Sequence, residues 1–149
     1  MKMLIATDGS KSSNKAVDYG AKIAALMGAE VLGIYVINMK SLELFAMEHH
    51  DNIAGYQDEN SKLRKDGEEA LAYLAAECMK AGVKSSAAIV RGYPVDDIIK
   101  TAEKEKVAMI VVGNLGRSGI EHILMGSVSE SIVHKAPCPV LVVRGEAKI

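Results

Sequence analysis

The chain alternates between short apolar runs and longer stretches in which apolar residues recur every three or four positions. The runs predict β-strands, and the three-to-four spacing predicts helices with one buried face. The five apolar runs lie at residues 3–6, 30–37, 83–91, 107–112 and 139–144. Nearly continuous apolar strands are covered on both faces, as in parallel sheets. The order βαβαβαβαβ therefore predicts one α/β domain over residues 1–149, with a doubly wound five-stranded parallel sheet in the order 3-2-1-4-5 and helices on both faces.

Polar residues and glycines mark the predicted helix ends. Ser12 or Ser13 can cap the first helix, and Gly28 can end it. Pro94 suits the first position of a later helix, and the aspartates two and three residues after it suit the positive end of the helix dipole. Helix-start electrostatics explains this pair of carboxylates more simply than general acid–base catalysis does.

Residues 38–58 follow neither pattern. The adjacent histidines His49 and His50 are weak metal candidates, because sequence neighbours point apart and no third ligand has suitable spacing. We predict a solvated, mobile segment that acts as a lid over a ligand crevice or as an interaction surface.

Residues 109–129 predict an anion-binding loop. A strand ends at Gly113, Gly116 follows, and Gly126 and Ser127 precede the last helix. Glycines let a ligand approach the main chain, and the N–H groups and dipole of a helix start favour phosphate. The alternative is that Ser127 and the glutamate three residues later form a capping box, which would seal the helix without a ligand.

The ends of other strands should meet this loop. Asp8 ends the first strand, and in a doubly wound sheet the ends of strands one and four flank the crevice. Asp8 and Gly113 should therefore lie across that crevice from each other. An aspartate there also forms turns by bonding its own backbone, and the two roles are compatible. Val36 and Ile37 end the second strand at the same edge, where a backbone N–H and C=O could read an adenine edge or be an ordinary strand end.

Composition excludes several functional classes. Of the 149 residues, 49% are hydrophobic and 25% charged, and the formal net charge is −1, which is ordinary for a globular protein. The chain has no basic stripe, one Phe and no Trp, so we expect no nucleic-acid partner. No apolar run approaches the roughly 20 residues needed to span a bilayer, so we expect no membrane segment. The first residues enter a strand without a signal-peptide pattern, which favours the cytoplasm.

The remaining features concern cysteines and assembly. Cys78 lies on the apolar stripe of a helix, Cys138 lies between two prolines, and neither belongs to a metal-spaced or redox pair. The last strand, residues 139–144, is short, apolar and predicted to lie at an edge, which favours aggregation unless the edge is paired. We predict a homodimer in which this strand pairs with its copy across a two-fold axis.

The motifs together resemble the universal stress protein family, in its ATP-binding branch. The family's nucleotide motif is Gly, two residues, Gly, nine residues, Gly, then Ser or Thr, and Gly113, Gly116, Gly126 and Ser127 satisfy it. The resemblance covers nearly all of the chain and implies a fold like that of the adenine nucleotide alpha-hydrolases.

The resemblance also implies a ligand, ATP or AMP or ADP, with Mg²⁺ or Mn²⁺, and a role for each matching position. Thr7, Asp8 and Gly9 would lie near the ribose and phosphates, and Asp8 could contact the metal of the bound nucleotide. The backbone of Val36 would meet the adenine, and Gly113 would lie close to the ribose. The residues implied around the phosphates are Gly116, Arg117, Gly126, Ser127, Val128 and Ser129.

One position departs from the family pattern. Asn114 and Leu115 stand where many members carry a small residue and then His or Arg. Leu115 supplies no charge, so the phosphates would be held more by backbone amides, with Arg117 either compensating or simply solvated in the loop.

Three functions fit this reading. The first is a regulatory nucleotide-binding protein whose occupancy changes how it binds an unknown protein partner in a stress response. The second is a slow ATPase or phosphotransferase, and the third is a dimeric scaffold with a structural nucleotide. Phosphoryl transfer usually shows a cationic side chain on the γ-phosphate, and no Walker lysine follows Gly126. We therefore predict no catalytic residues and at most slow hydrolysis.

Overall fold

A computed structural model describes residues 1–116, 125–146 and 148–149. Its five strands form one parallel sheet in the order β3-β2-β1-β4-β5, as the sequence predicts. The elements are β1 (Lys2–Ala6), α1 (Lys11–Met27), β2 (Glu30–Asn38), α2 (Met39–Glu48), α3 (Ile53–Lys80), β3 (Ser85–Gly92), α4 (Pro94–Glu105), β4 (Met109–Gly113), α5 (Ser127–Lys135) and β5 (Val140–Val143).

Helices cover both faces of the sheet. Side chains of a strand alternate between faces, and in β1 Met3 and Ile5 pack towards α1 and α3 while Leu4 and Ala6 pack towards α4 and α5. All but Ala6 are fully buried, and Ala6 is 9% exposed. Because both faces of the central strands are buried, the sequence shows them as continuous apolar runs rather than as an alternating pattern.

The order of the strands reverses at β1. Strand β1 pairs with β2 on one side and with β4 on the other. The connection after β1 therefore runs towards one edge of the sheet, and the connection after β4 runs towards the other. This is the arrangement that opens a crevice at the carboxyl ends of the central strands. The segments after β1, β2 and β4 all begin at that edge.

The start of α1 differs from the prediction. The cap is Ser10, whose hydroxyl accepts a hydrogen bond from Ser13 N–H, and the helix begins at Lys11. The prediction of Ser12 or Ser13 as the cap was therefore wrong, because both residues lie inside the first helical turn. Gly28 does end the helix, with a left-handed φ of 66° that favours glycine.

Residues 38–58, predicted as a solvated and mobile segment, are mostly helical. They form α2 and the first turns of α3, and the side chains of Asn38 and Asn52 accept hydrogen bonds from backbone N–H groups at the two helix starts. Helix α2 buries one residue, Leu42, against β2 and α3. A single anchor gives no apolar periodicity, so the helix was not visible in the sequence.

Candidate functional site

A cavity of about 370 Å³ opens at the carboxyl ends of β1, β2 and β4. This volume lies within the range of small-molecule sites, roughly 300 to 1,000 Å³. Nine of the residues predicted as the site line it together: Thr7, Asp8, Val36, Gly113, Gly116, Gly126, Ser127, Val128 and Ser129. The strand order thus brings segments from the beginning, middle and end of the chain to one place.

Two predicted site residues are not placed in this cavity. Gly9 is exposed, has a φ of 80° and lines a neighbouring depression of about 780 Å³. Its N–H donates to the Thr7 hydroxyl at 3.1 Å, so Gly9 shapes the turn behind the cavity wall. Arg117 lies outside the described residues, and its role stays a prediction.

The first turn of α5 faces the cavity without a side-chain cap. Gly126 is the N-cap, and Ser127 is the first helical residue, so the capping box read from the sequence does not form. The first helical hydrogen bond runs from Glu130 N–H to the Gly126 carbonyl at 3.0 Å. The N–H groups of the three residues between them have no partner within the helix, as at any helix start.

The first turn of α5 directs Ser129 rather than Val128 towards the core. Val128 is 41% exposed. Ser129 and Ile132 form the inner face instead, with 5% and 0% of their surface exposed. The Ser129 hydroxyl donates to the Gly113 carbonyl at 2.7 Å, which fixes the helix start against the end of β4.

Main-chain contacts close the loop around the cavity. Gly126 N–H donates to the Asn114 carbonyl at 2.6 Å, and Asn114 N–H donates to the Val143 carbonyl at 3.1 Å. A Cβ added at Gly126 would meet nothing closer than 3.6 Å, where it would touch Gly116 N. The space beside Gly126 is therefore open, and main-chain groups of the glycine turn and of α5 border it.

Asp8 lies opposite this loop in a fixed orientation. Its Oδ1 accepts hydrogen bonds from the Ser13 hydroxyl at 2.7 Å and from Ser10 N–H at 2.9 Å. Asp8 thus forms the turn that the sequence allowed, and it also lines the cavity. The other carboxylate oxygen, Oδ2, lies near Gly116, because a Cβ on that glycine would be 3.3 Å from it.

The end of the cavity next to β2 is mostly apolar, with Asn38 and Ser41 as its polar residues. Ile34, Val36, Leu63, Pro94 and Ile98 line it. The Ile34 carbonyl accepts a hydrogen bond from Thr7 N–H at 3.0 Å, beyond the last residue pair of β1 and β2. Since a strand repeats every two residues, the main chain of Val36 faces the same side, where β1 has already ended. A flat heterocycle would find an apolar slot there with one backbone donor and one acceptor at its edge.

Sequence reasoning missed three polar residues that build this site. Ser12 donates to Asn114 Oδ1 and accepts from Leu115 N–H, both at 3.1 Å. Ser13, only 5% exposed, holds Asp8. Asn114, 9% exposed, had been considered only as a departure from a family pattern. The available signal was a run of serines just after Asp8 at a helix start, which we attributed to capping alone.

The two cysteines do not line this cavity. Burial raises the pKa of both the Cys78 and the Cys138 thiols, which disfavours the reactive thiolate form. Within the described part of the chain, no three His, Cys, Asp or Glu side chains are arranged to hold a metal ion. Searching the same residues finds no helix long and apolar enough to cross a bilayer.

Known proteins share this fold and sequence pattern. The model of the universal stress protein family matches residues 1–144. Universal stress protein MJ0531 of Methanocaldococcus jannaschii is 35% identical over 147 residues, which cover 99% of this chain and 84% of that protein. The solved structure of the hypothetical protein MJ0577 superposes with a TM-score of 0.80 at 29% identity, covering 98% of this chain and 97% of that one. A universal stress protein solved in complex with cAMP has a TM-score of 0.67 at 28% identity, with 97% and 96% covered.

Proposed function

Because the chain belongs to the universal stress protein family, we propose that it binds an adenine nucleotide in the cavity between Asp8 and the start of α5. The observation that carries this proposal is the first turn of α5, which lacks a side-chain cap and borders an open space beside Gly126. A phosphate group placed there would accept hydrogen bonds from N–H groups that the helix leaves without a partner. The complex of a related protein with cAMP supports the same ligand class.

The apolar end of the cavity suits the base. Val36 would accept a hydrogen bond at its carbonyl from the adenine amino group and donate its N–H to the neighbouring ring nitrogen. Guanine has a carbonyl oxygen where adenine has that amino group. Two hydrogen-bond acceptors, the guanine oxygen and the Val36 carbonyl, would then face each other without a proton between them. We therefore expect ATP, ADP and AMP to bind more tightly than GTP.

Asp8 is the residue that would hold a divalent cation. It is the one carboxylate among the described residues that line the cavity, and hydroxyl oxygens lie beside it. Mg²⁺ prefers oxygen ligands and keeps several waters while it bridges one or two carboxylates to phosphates. The oxygen-rich wall at Asp8 fits Mg²⁺ or Mn²⁺ that arrives with the nucleotide.

Nucleotide occupancy would act on the α2–α3 hairpin. Ser41 of α2 and Leu63 of α3 line the cavity, so a bound base would touch both helices. Two hydrogen bonds join these helices to the end of β3 and to the residue after it: Arg91 of β3 donates to Asn60 of α3, and Tyr93 donates to Glu43 of α2 at 2.7 Å. We propose that binding fixes this surface and so changes the affinity for a protein partner, within a single domain that acts in the cytoplasm during stress.

Slow ATP hydrolysis is the second candidate function. The described groups that face the phosphate end of the cavity are amides, hydroxyls and the Asp8 carboxylate, which bind and orient a nucleotide. Efficient phosphoryl transfer would need turnover in the typical enzyme range, on the order of 10 per second. We expect single-turnover hydrolysis to be much slower than nucleotide release, and a measured rate in the enzyme range would establish catalysis instead.

We also propose that β5 pairs with its copy in a homodimer. The Pro139 carbonyl accepts a hydrogen bond from Ile110 N–H of β4, and the Val143 carbonyl accepts one from Asn114 N–H just after β4. The main chain of residues 139, 141 and 143 therefore faces β4. The main chain of Val142, one position out of phase, faces the open edge of the sheet. An exposed strand edge offers a row of donors and acceptors that a two-fold copy can satisfy.

The decisive experiment begins with the protein as purified. Denaturing extraction and mass spectrometry would identify any bound nucleotide, and titration calorimetry would then compare ATP, AMP and GTP with and without Mg²⁺. We expect saturable binding of the adenine nucleotides and weaker binding of GTP. No adenine nucleotide in the extract and no heat of binding at millimolar ATP would reject the proposal.

A further inference from the structure

Two adjacent serines in the first turn of α1 contact opposite walls of the cavity. Ser13 bonds to Asp8, and Ser12 bonds to the glycine turn after β4. Neither serine caps the helix, because Ser10 does so. We propose that Ser13 positions Asp8 for the metal of a bound Mg²⁺–nucleotide, while Ser12 positions the glycine turn for its phosphates. This inference rests on the proposed nucleotide function.

The bonding of Ser13 uses its whole hydroxyl. It donates its proton to Asp8 Oδ1 at 2.7 Å and lies within hydrogen-bond distance of Ser10 Oγ and Asp8 N–H, at 3.1 and 3.2 Å. One donated and two accepted bonds saturate a hydroxyl. Ser13 itself is only 5% exposed, so water has little access to its hydroxyl. This bonding selects one carboxylate orientation, in which Oδ1 is used internally and Oδ2 lies beside Gly116.

The bonding of Ser12 acts on the other wall. Its hydroxyl donates to Asn114 Oδ1 and accepts from Leu115 N–H, both at 3.1 Å. The end of β4 is also pressed against Ser12, since a Cβ on Gly113 would lie 2.8 Å from the Ser12 carbonyl carbon. Asn114 in turn accepts a hydrogen bond from Gly126 N–H. Ser12 therefore fixes the turn that borders the phosphate space, and it has no bond to Asp8 among the described contacts.

This division predicts two different losses. Removing the Ser13 hydroxyl frees the orientation of Asp8 and should reduce the contribution of the metal, while metal-free binding through main-chain amides persists. Removing the Ser12 hydroxyl loosens the glycine turn and should weaken binding whether or not a metal is present. A purely structural role for either serine would lower stability without separating these two effects.

The test measures the dissociation constant for ATP in Mg²⁺ and in EDTA for wild type, Ser13→Ala, Ser12→Ala and the control Ser86→Ala. Ser86 is exposed on β3, away from the cavity. In Ser13→Ala, the factor by which Mg²⁺ tightens ATP binding should be about tenfold smaller than in wild type. The dissociation constant of this variant in EDTA should stay within about twofold of the wild-type value. Ser12→Ala should weaken binding about tenfold under both conditions and leave the Mg²⁺ gain unchanged.

Two further variants keep the test decisive. In an Asp8→Ala background, Ser13→Ala should cause no additional loss of the Mg²⁺ gain, because the two side chains act as one unit. Ser13→Cys fills the same space with a weak donor and replaces the alanine variant if the latter does not fold; it should show an intermediate loss. Mn²⁺ bound with ATP, followed by electron paramagnetic resonance, should show weaker metal retention in the Ser13 variants alone.

The failures are distinguishable. If wild type binds no nucleotide, the proposed function itself is rejected. If wild type binds and Ser13→Ala keeps the full Mg²⁺ gain, or if wild type gains nothing from Mg²⁺, the assignment of Ser13 is overturned while nucleotide binding stands. Equal losses of the Mg²⁺ gain in Ser12→Ala and Ser13→Ala would overturn the division of roles.

Discussion

The substitution Gly126→Val should abolish nucleotide binding and leave the fold nearly intact. Gly126 has φ −75° and ψ 165°, a conformation open to any residue, and a Cβ there would have no contact closer than 3.6 Å. Valine is a poor N-cap, but the native cap makes no side-chain bond either. We expect a loss of about 1 kcal/mol in the free energy of unfolding, equivalent to about 2–4 °C in Tm for a chain of this size.

The loss of affinity should be far larger. The valine Cβ would contact Gly116 N, and its methyl groups would occupy the space beside the first N–H groups of α5. A phosphate oxygen could then reach neither set of donors. Hydrogen bonds to a charged group contribute about 1.5–3 kcal/mol each, so losing two weakens binding by about 3–6 kcal/mol, or roughly 10² to 10⁴ in Kd. Gly126→Ala adds one carbon and should cause a smaller loss.

Titration calorimetry with Mg²⁺–ATP and a scanning-calorimetry Tm would measure both quantities. Gly28→Ala is the matched control. The φ of 66° at Gly28 strains an alanine, and Gly28 lies at the end of α1 that is far from the cavity. That variant should lose about 1 kcal/mol of stability and keep its affinity. An unchanged Kd in a folded Gly126→Val protein would refute the assignment of this space to phosphate.

Three other substitutions, one of them with a control variant, test other parts of the structure. Gly113→Ala should destabilise by more than about 2 kcal/mol in urea denaturation, because its Cβ would lie 2.8 Å from main-chain atoms of α1. Tyr73→Phe should cost about 1–2 kcal/mol at pH 8 by removing the 2.6 Å bond to Asp18. Burial, and after it the bond to Asp18, raises the pKa of Tyr73. The neutral side chain therefore stabilises the fold below about pH 10, and this contribution falls as the pH rises further. Wild type should lose more stability than the variant between about pH 8 and pH 11. Val142→Pro removes an N–H at the open edge of β5 and should give folded monomers by light scattering at micromolar concentration. The control Leu141→Pro removes an N–H that faces β4 and should unfold the sheet edge. A dimeric Val142→Pro protein would contradict pairing through β5.

The sheet could be predicted from the sequence because strands buried on both faces consist of nearly continuous apolar residues. Strands β1, β2 and β4 are almost uninterrupted apolar runs, and a crossover helix between parallel strands limits the topology to few choices. Helix α2 shows no such pattern, because Leu42 is its one buried residue. The helix is otherwise held by its Asn38 cap, by the partly buried Met39 and by the hydrogen bond from Tyr93 to Glu43. An apolar pattern in a sequence reflects buried residues, and α2 buries too few residues to produce one.

The helix starts were harder, because several residues of the right type compete for each cap. Ser10, Ser12 and Ser13 are all good caps by type, and their roles are assigned by contacts across the chain: Ser13 bonds to Asp8, and Ser12 bonds to Asn114. The same holds at α5, where Ser127 has the spacing of a capping box but the helix starts there, one position after Gly126. Long-range hydrogen bonds decided both cases, and a single sequence contains no record of them.

The absence of a capping box at the start of α5 bears on function. A capping box would have satisfied the first N–H groups of the helix with its own side chains and contributed about 1 kcal/mol to stability. Instead, Gly126 N–H donates to Asn114 and the Ser129 hydroxyl donates to Gly113, so the local polar groups fix the loop rather than seal the helix. The helix end is thereby held in place while its remaining donors face the cavity. A site arranged in this way gives up local stability that an anionic ligand can restore, and this is the physical reason to expect phosphate at Gly126 rather than elsewhere along the sheet edge.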